Sequence, residues 1–111
     1  MPDIKISSNQ ILKDGKTIIC LPAEAIEVLP VDNLIVVLFK KEKADNDRNI
    51  LCYEFDGTFK WQAPVPFKLH ADNYFVGLEL RDNQLFAYSI SGIEYHLDLN
   101  TGDVLESQLV K

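Results

Sequence analysis

Histidine and cysteine are scarce in this sequence of 111 residues, which contains two of each. Cys20 and Cys52 lie in separate apolar, strand-like segments, without the close spacing of paired zinc ligands. The chain also lacks a Gly-rich phosphate loop and a nucleophile elbow. We therefore expect no metal and no cofactor, and two reduced, buried thiols rather than a disulfide.

Long apolar runs are missing as well. No segment approaches the roughly 20 apolar residues that a membrane-spanning helix needs. The polar start MPDIKISSNQ lacks the basic end and apolar core of a secretory signal. A hydrophobic fraction of 47% with 25% charged residues is ordinary for a soluble globular protein. We therefore expect a cytoplasmic protein that forms a single domain over residues 1–111.

Basic residues are nearly absent from the C-terminal part of the chain. Residues 69–110 contain seven acids and one basic residue, Arg81, whereas residues 1–68 contain ten acids and nine Lys or Arg. The net charge of −6 therefore comes from the C-terminal part. Such an acidic field repels nucleic acid and anionic membranes and attracts basic proteins, so we expect neither a nucleic acid nor a membrane as partner.

Short apolar segments separated by turn residues recur along the chain. AIEVLPVDNLIVVLF from Ala25 and FVGLELRDNQLFAYS from Phe75 align at an offset of 50 residues, each with an Asp-Asn turn between two strands. A second hairpin follows in each copy, with its turn at 56–57 or 100–102. A shorter hairpin, turning at 14–15, precedes both copies. This pattern predicts an all-β fold with two four-stranded antiparallel units, in a half-propeller or sandwich arrangement, and an extra N-terminal hairpin.

The hairpin sequences also resemble a known family. YEFDGTFKWQ and LDLNTGDVLES are similar to the strand-turn-strand element of β-propeller blades in the quinoprotein-like group. A propeller needs about four or more blades to close its ring, and this chain has too few. The resemblance therefore implies two packed sheets, or a fragment that closes a ring by oligomerising.

Apolar content indicates which strands are central. Residues 34–39 and 85–90 are apolar at nearly every position, which predicts strands covered on both faces. Residues 74–81 alternate, with Val76 expected on the same face as Leu78 and Leu80. The segment 23–27 fits either a strand or one helical turn, and we retain the strand.

The sequence also predicts the environment of a charged segment, three aromatic side chains and the two termini. Residues 40–49 form a charged segment, which we expect to be a solvated hairpin loop. Phe59 and Trp61 are expected to pack in the core or between sheets, and Tyr95 to point inward. The terminal segments DIKISSNQ and ESQLVK are expected to be protected from edge-to-edge pairing by their charged and polar residues.

One row of titratable residues is a candidate for acid–base chemistry. Glu94, His96 and Asp98 stand at alternate positions, so an extended chain places them on one face. A carboxylate beside an imidazole can orient it and hold its proton. Alternate residues of a strand lie about 7 Å apart, which is too far for direct hydrogen bonds unless the side chains lean together. A merely solvated face is the plain alternative, and we expect no enzyme.

The clustering of acidic residues on neighbouring strands favours a binding face over catalysis. Like charges on neighbouring strands repel each other, and a basic partner is the simplest reason to tolerate them. The predicted partner-binding residues are Glu79, Asp82, Glu94, His96, Asp98, Asp103 and Glu106.

In overall character the chain resembles the immunity proteins of contact-dependent inhibition systems, including those paired with ribonuclease toxins. The resemblance implies a toxin-neutralising inhibitor whose carboxylates meet the Lys and Arg residues of a basic nuclease toxin, as a monomer or in a 1:1 heterodimer. Two alternatives remain open. One is a small enzyme that uses His96 with Glu94 or Asp98, and the other is a self-associating propeller-fragment scaffold.

Overall fold

The computed structural model describes residues 3–40, 48–64 and 74–109. Within these ranges the chain consists of strands and turns, which confirms the all-β expectation. The same ranges contain no helix with the length and hydropathy needed to cross a membrane. Most of the predicted 40–49 loop, the Asp-Asn pair at 72–73 and His70 lie outside the described residues.

An antiparallel sheet of three strands opens the fold. It comprises β1 (Ile4–Ser7), β2 (Gln10–Lys13) and β3 (Lys16–Cys20). The predicted hairpin corresponds to β2 and β3, whose turn places Asp14 and Gly15 at positive φ. The additional strand, β1, pairs with β2. It was missed although Ile4 and Ile6 alternate with Lys5 and Ser7, because four residues are the shortest alternation that indicates a strand.

Two four-stranded antiparallel sheets follow, as the repeat predicted. In each sheet the spatial order equals the chain order, so every strand pairs with its neighbours in sequence. The second sheet comprises β4 (Ala25–Val31), β5 (Leu34–Phe39), β6 (Ile50–Glu54) and β7 (Phe59–Gln62). The third comprises β8 (Phe75–Arg81), β9 (Gln84–Ser89), β10 (Ile93–Leu97) and β11 (Val104–Leu109).

The second sheet lies between the other two. Ile35, Val37 and Phe39 pack in one apolar cluster with residues of the first sheet. Val36 and Leu38 pack in another cluster with residues of the third sheet. Because successive side chains of a strand point to opposite faces, β5 serves both cores, which confirms that residues 34–39 are covered on both sides.

The same expectation was wrong for residues 85–90. Leu85, Ala87 and Ser89 of β9 are buried, but Phe86 and Tyr88 are half-buried on the other face. Ile90 lies in a turn and is 52% exposed. No described sheet covers that face of β9, so its apolar residues on that side meet solvent and neighbouring side chains of the same sheet.

A bulge also changes the predicted alternation in β8. The pairing of β8 with β9 shifts between Phe75 and Gly77. Phe75 and Leu78 are both buried as a result, whereas Val76 is exposed and does not share the face of Leu78. A bulge adds one residue to one strand and so reverses the alternation beyond it.

Asn49 joins the second and third sheets. It is fully buried, and its side-chain amide donates to the carbonyl oxygens of Phe39 (3.0 Å) and Phe75 (2.7 Å). The backbone N–H of Phe75 donates back to Asn49 Oδ1 at 3.0 Å. All the side-chain donors and an acceptor of Asn49 are therefore used, which removes the usual cost of burying an amide.

Single side-chain expectations had mixed outcomes. Trp61 and Tyr95 are buried, as expected. Phe59 is not, since it is 56% exposed and touches the Tyr53 ring only edge to face. Cys52 is a buried free thiol, but Cys20 is exposed because it ends β3, an edge strand, which corrects the expectation that both are buried.

Candidate functional site

The outward face of the third sheet carries a row of four side chains, one from each strand. Three of them belong to predicted partner-binding residues, and the fourth is Phe86. The pairing sets Glu79 beside Phe86, Phe86 beside His96, and His96 beside Glu106. Strands lie about 4.8 Å apart, so the row spans about 14 Å across β8 to β11. A second row beside it joins Tyr88, Glu94 and Gln108. We call this surface the outer face.

The seven predicted residues therefore form two groups. Glu79, Glu94, His96 and Glu106 lie on strands of the outer face. Asp82 lies in the β8–β9 turn, and Asp98 and Asp103 lie in the β10–β11 turn. Both turns lie at the same end of the sheet. Leu80, just before the first turn, and Leu97, just before the second, both pair with Leu85.

Glu94 is the most enclosed of the seven, with 8% of its surface exposed. Its Oε2 accepts a hydrogen bond from the Arg81 guanidinium at 2.6 Å, and its Oε1 accepts one from Gln108 Nε2 at 3.1 Å. An ion pair with this hydrogen bonding offsets the desolvation of the carboxylate. Glu94 thus ties β8, β10 and β11 together and offers little of its charge to a partner.

Glu79 is also engaged within the sheet. Its Oε1 lies 3.3 Å from Arg81 Nε and accepts a short hydrogen bond from the Tyr88 hydroxyl. That hydrogen bond raises the pKa of Tyr88 above its ordinary value, with burial adding to the effect. About half of the Glu79 side chain remains exposed, so it can still attract a cation from outside.

Arg81, Phe86 and His96 form a stack in the middle of the outer face. Arg81 Cζ lies 3.8 Å from the centre of the Phe86 ring. The Phe86 and His96 rings are stacked, with centroids 4.8 Å apart and an interplanar angle of 20°. Cation–π and ring stacking hold these three side chains in place, which gives the acidic surface a rigid aromatic centre.

The acidic turns differ in how free their carboxylates are. Asp98 Oδ1 accepts from the backbone N–H of Asn100 at 2.7 Å, so it stabilises its own turn. Asp82 stands at φ +51°, a conformation that Asp tolerates better than most residues. Within the described ranges, no ion pair involves Asp82, Asp103 or Glu106, and all three are exposed.

Two shallow hollows interrupt the outer face. One of about 200 Å³ lies between Arg81, Phe86, His96 and Glu106. The other, of about 260 Å³, lies at the turn end between Asn83, Asp98 and Leu105. His96 borders both, so the surface presents recesses that a partner's side chains can enter.

The residues proposed for acid–base catalysis do not contact each other. Among the described residues no hydrogen bond joins His96 to Glu94 or Asp98, since each carboxylate has a different partner. His96 instead stacks on Phe86. The hollow beside His96 is the concavity that the enzyme alternative requires, but a carboxylate that orients the imidazole is missing from this part of the structure.

Metal ligands are not assembled either. In residues 3–40, 48–64 and 74–109 no three His, Cys, Asp or Glu side chains come close enough together to hold an ion. Cys52 is unsuited to such a role, because burial raises the pKa of its thiol to about 12.

Sequence reasoning missed Phe86 and Gln108 as members of this surface. Both faces of β9 carry apolar residues, so alternation alone did not indicate which face points outward. Gln108 was missed because its place follows from the pairing of β11 with β10, which begins with a bulge.

Fold and surface together define an all-β protein of stacked antiparallel meanders with an acidic, aromatic-centred outer face. By sequence the chain belongs to the family DUF7957, described as a domain of unknown function, whose profile matches residues 1–109. No curated protein matches the chain.

Two solved structures share the fold. The computationally designed Ika8 protein has a TM-score of 0.65 at 15% identity, over 97% of this chain and 36% of its own. The computationally designed Ika4 protein has a TM-score of 0.68 at 14% identity, over 96% of this chain and 66% of its own. This chain thus spans only part of either designed protein. The resemblance to propeller blades and to immunity proteins stays a prediction.

Proposed function

We propose that this chain is a toxin-neutralising immunity protein that binds a basic nuclease toxin through the outer face. The observation that supports the proposal most directly is the row from Glu79 to Glu106, with Asp82 and Asp103 at its end. In the described part of the third sheet, Arg81 is the single Lys or Arg among six acids. It is already paired with Glu79 and Glu94.

The residues of the outer face have two different roles. Arg81 contacts both Phe86 and Glu94, and these contacts brace the outer face. Asp103 and Glu106 are left to attract positive charge, and the hollows admit long side chains. A nuclease presents Lys and Arg where it binds phosphates, so a rigid acidic surface that covers those residues excludes the nucleic acid and stops cleavage.

The test is charge reversal at residues that the fold does not need. Asp103→Lys with Glu106→Lys changes two exposed carboxylates without a described ion pair. The control, Asp3→Lys with Glu54→Lys, makes the same charge change next to β1 and on β6. Asp3 loses an exposed ion pair with Lys5, and such pairs contribute little to stability. Purified ribonuclease domains with pI above about 9 serve as probes, and a cationic protein without nuclease activity serves as the reference.

We expect the native chain to inhibit RNA cleavage by a cognate ribonuclease domain and the outer-face variant to associate about tenfold more slowly at low salt. The control variant should associate at close to the native rate. The difference should shrink above about 0.5 M salt, where charges beyond a few ångströms are screened. Equal slowing by both variants, or inhibition of no basic nuclease in the panel, would contradict the proposal.

A further inference from the structure

The third sheet has two edge strands, β8 and β11. On β8 the N–H groups of Phe75 and Leu78 already donate to the side chains of Asn49 and Glu27, so we consider β11. It pairs with β10 on one side, and no described strand pairs with its other side. The free edge strands β3 and β7 carry Lys16 and Lys60, charges that discourage another chain from pairing. β11 carries no Lys or Pro. Two apolar side chains at its start are open to solvent, since Val104 is 42% and Leu105 is 53% exposed.

The pairing also indicates which backbone groups face outward. The N–H of Asp98 donates to the carbonyl of Asp103 at 2.8 Å, so it points toward β11. The backbone groups of successive residues in an antiparallel strand point to alternate sides. The backbone N–H and C=O of His96 and Glu94 therefore also point toward β11, and those of their partners Glu106 and Gln108 point toward β10. The N–H and C=O of Ser107 therefore lie on the free edge.

We propose that an extended, basic segment of the partner protein adds to β11 as an antiparallel fifth strand of the third sheet. This inference rests on the proposed function and names the element of the partner that is recognised. Every second side chain of the added strand is basic. These basic side chains lie beside Glu106 and Gln108, about 5 Å away across the strands. The intervening side chains lie beside Ser107 and Val104, and these are apolar.

Charge decides between this occupant and a second copy of the chain. Each copy has a net charge of −6, and its excess lies in the sheet that would pair. Two such edges repel each other, whereas a strand with alternating cations gains from the exposed carboxylates of Glu106 and Asp103. The acidic edge therefore fits a basic strand.

The test uses a synthetic peptide of alternating lysine and valine, eight residues long, with a fluorescent label. In antiparallel pairing the residue opposite Ser107 shares its face and points its N–H at the free edge. Valine amides therefore bond to β11, and lysine amides point away. We expect N-methylation of the valines to weaken binding at least about tenfold and N-methylation of the lysines to change it less than about twofold.

Two variants of the protein complement the peptides. Ser107→Pro removes the outward N–H on an edge strand, where proline is tolerated, and should weaken binding to the same degree. Ser107→Ala keeps the N–H and should bind like the native chain. A peptide of the same composition with four lysines followed by four valines should bind more weakly than the alternating one. Equal binding of both N-methylated peptides would overturn the inference.

The outcomes separate this inference from the function on which it rests. If Asp103→Lys with Glu106→Lys slows binding of a basic nuclease but both N-methylated peptides bind alike, the immunity function stands and the added strand does not. If the outer-face variant has no effect on the nuclease while the peptides behave as expected, the added strand stands and the immunity function fails. A dimer of the chain alone in sedimentation, dissolved by Ser107→Pro, would assign the edge to a second copy and overturn the inference.

Discussion

At the scale of single residues, the turn between β10 and β11 depends on one glycine. Gly102 has φ +79°, a conformation that side chains disfavour, and it lies against the Trp61 ring. Trp61 Nε1 donates to the carbonyl of Leu99 in the same turn at 2.8 Å. The indole of the second sheet thus fixes the turn of the third, and with it the position of Asp98 and Asp103.

Gly102→Ala should therefore destabilise the fold more than its backbone conformation alone explains. A Cβ at this position would lie 2.7 Å from Trp61 Cδ2, and its addition also strains the positive φ. We expect a loss of about 2 to 4 kcal/mol in the free energy of unfolding. Gly15→Ala is the control, because φ is +85° there but nothing lies within 4 Å, and it should cost about 1 kcal/mol. Urea unfolding measures both, and equal losses would contradict the packing argument.

At the scale of elements, turn residues were the most informative part of the sequence. The Asp-Gly and Asp-Asn pairs correctly marked the hairpins at 14–15, 32–33 and 82–83, because positive φ falls there on residues that tolerate it. The bulge in β8 and the open face of β9 were not predictable. Both depend on which sheet packs where, and that is decided by residues far apart in the chain.

The β8–β9 pairing also predicts a response to alkaline pH. Tyr88 donates to Glu79 across these strands, and this raises the pKa of Tyr88. The folded state thus holds the phenolic proton more tightly than the unfolded state does. This contribution to stability is complete below about pH 10, the ordinary pKa of tyrosine, and is lost as pH rises further.

Melting temperatures between pH 8 and pH 11 test this response. We expect the native chain to lose more stability above about pH 10 than Tyr88→Phe does, because the variant has no proton to lose there. The difference in absorbance titration between the two proteins should show Tyr88 ionising later than free tyrosine. A Tyr88 that titrates like free tyrosine would contradict the hydrogen bond to Glu79.

At the scale of the whole molecule, the negative charge is concentrated in the C-terminal part of the chain. The acidic excess of the C-terminal part was predictable by counting residues, and so was the outward position of Glu79, Glu94, His96 and Glu106. What the sequence did not predict is that Arg81 neutralises part of that face from within. Side-chain pairing of this kind depends on cross-strand register, which a bulge alters.

The two thiols report on the integrity of the layers. Cys20 is exposed on the first sheet, whereas Cys52 is buried between the second and third sheets, and burial raises its pKa to about 12. Because the thiolate is the reactive form, Cys20 should react with a disulfide reagent at pH 8 within minutes and Cys52 only as the protein unfolds. In Cys20→Ser, the labelling rate should rise with denaturant in step with global unfolding. Rapid labelling of Cys52 in the native state would contradict its burial.

β5 has a consequence for which sequence changes the chain tolerates. Its odd-numbered side chains, Ile35, Val37 and Phe39, belong to one core, and its even-numbered Val36 and Leu38 belong to the other. Inserting or deleting a single residue in this strand would exchange the two sets and set each against the wrong neighbour. Length variation among natural relatives should therefore spare residues 34–39 and collect in the connections between strands.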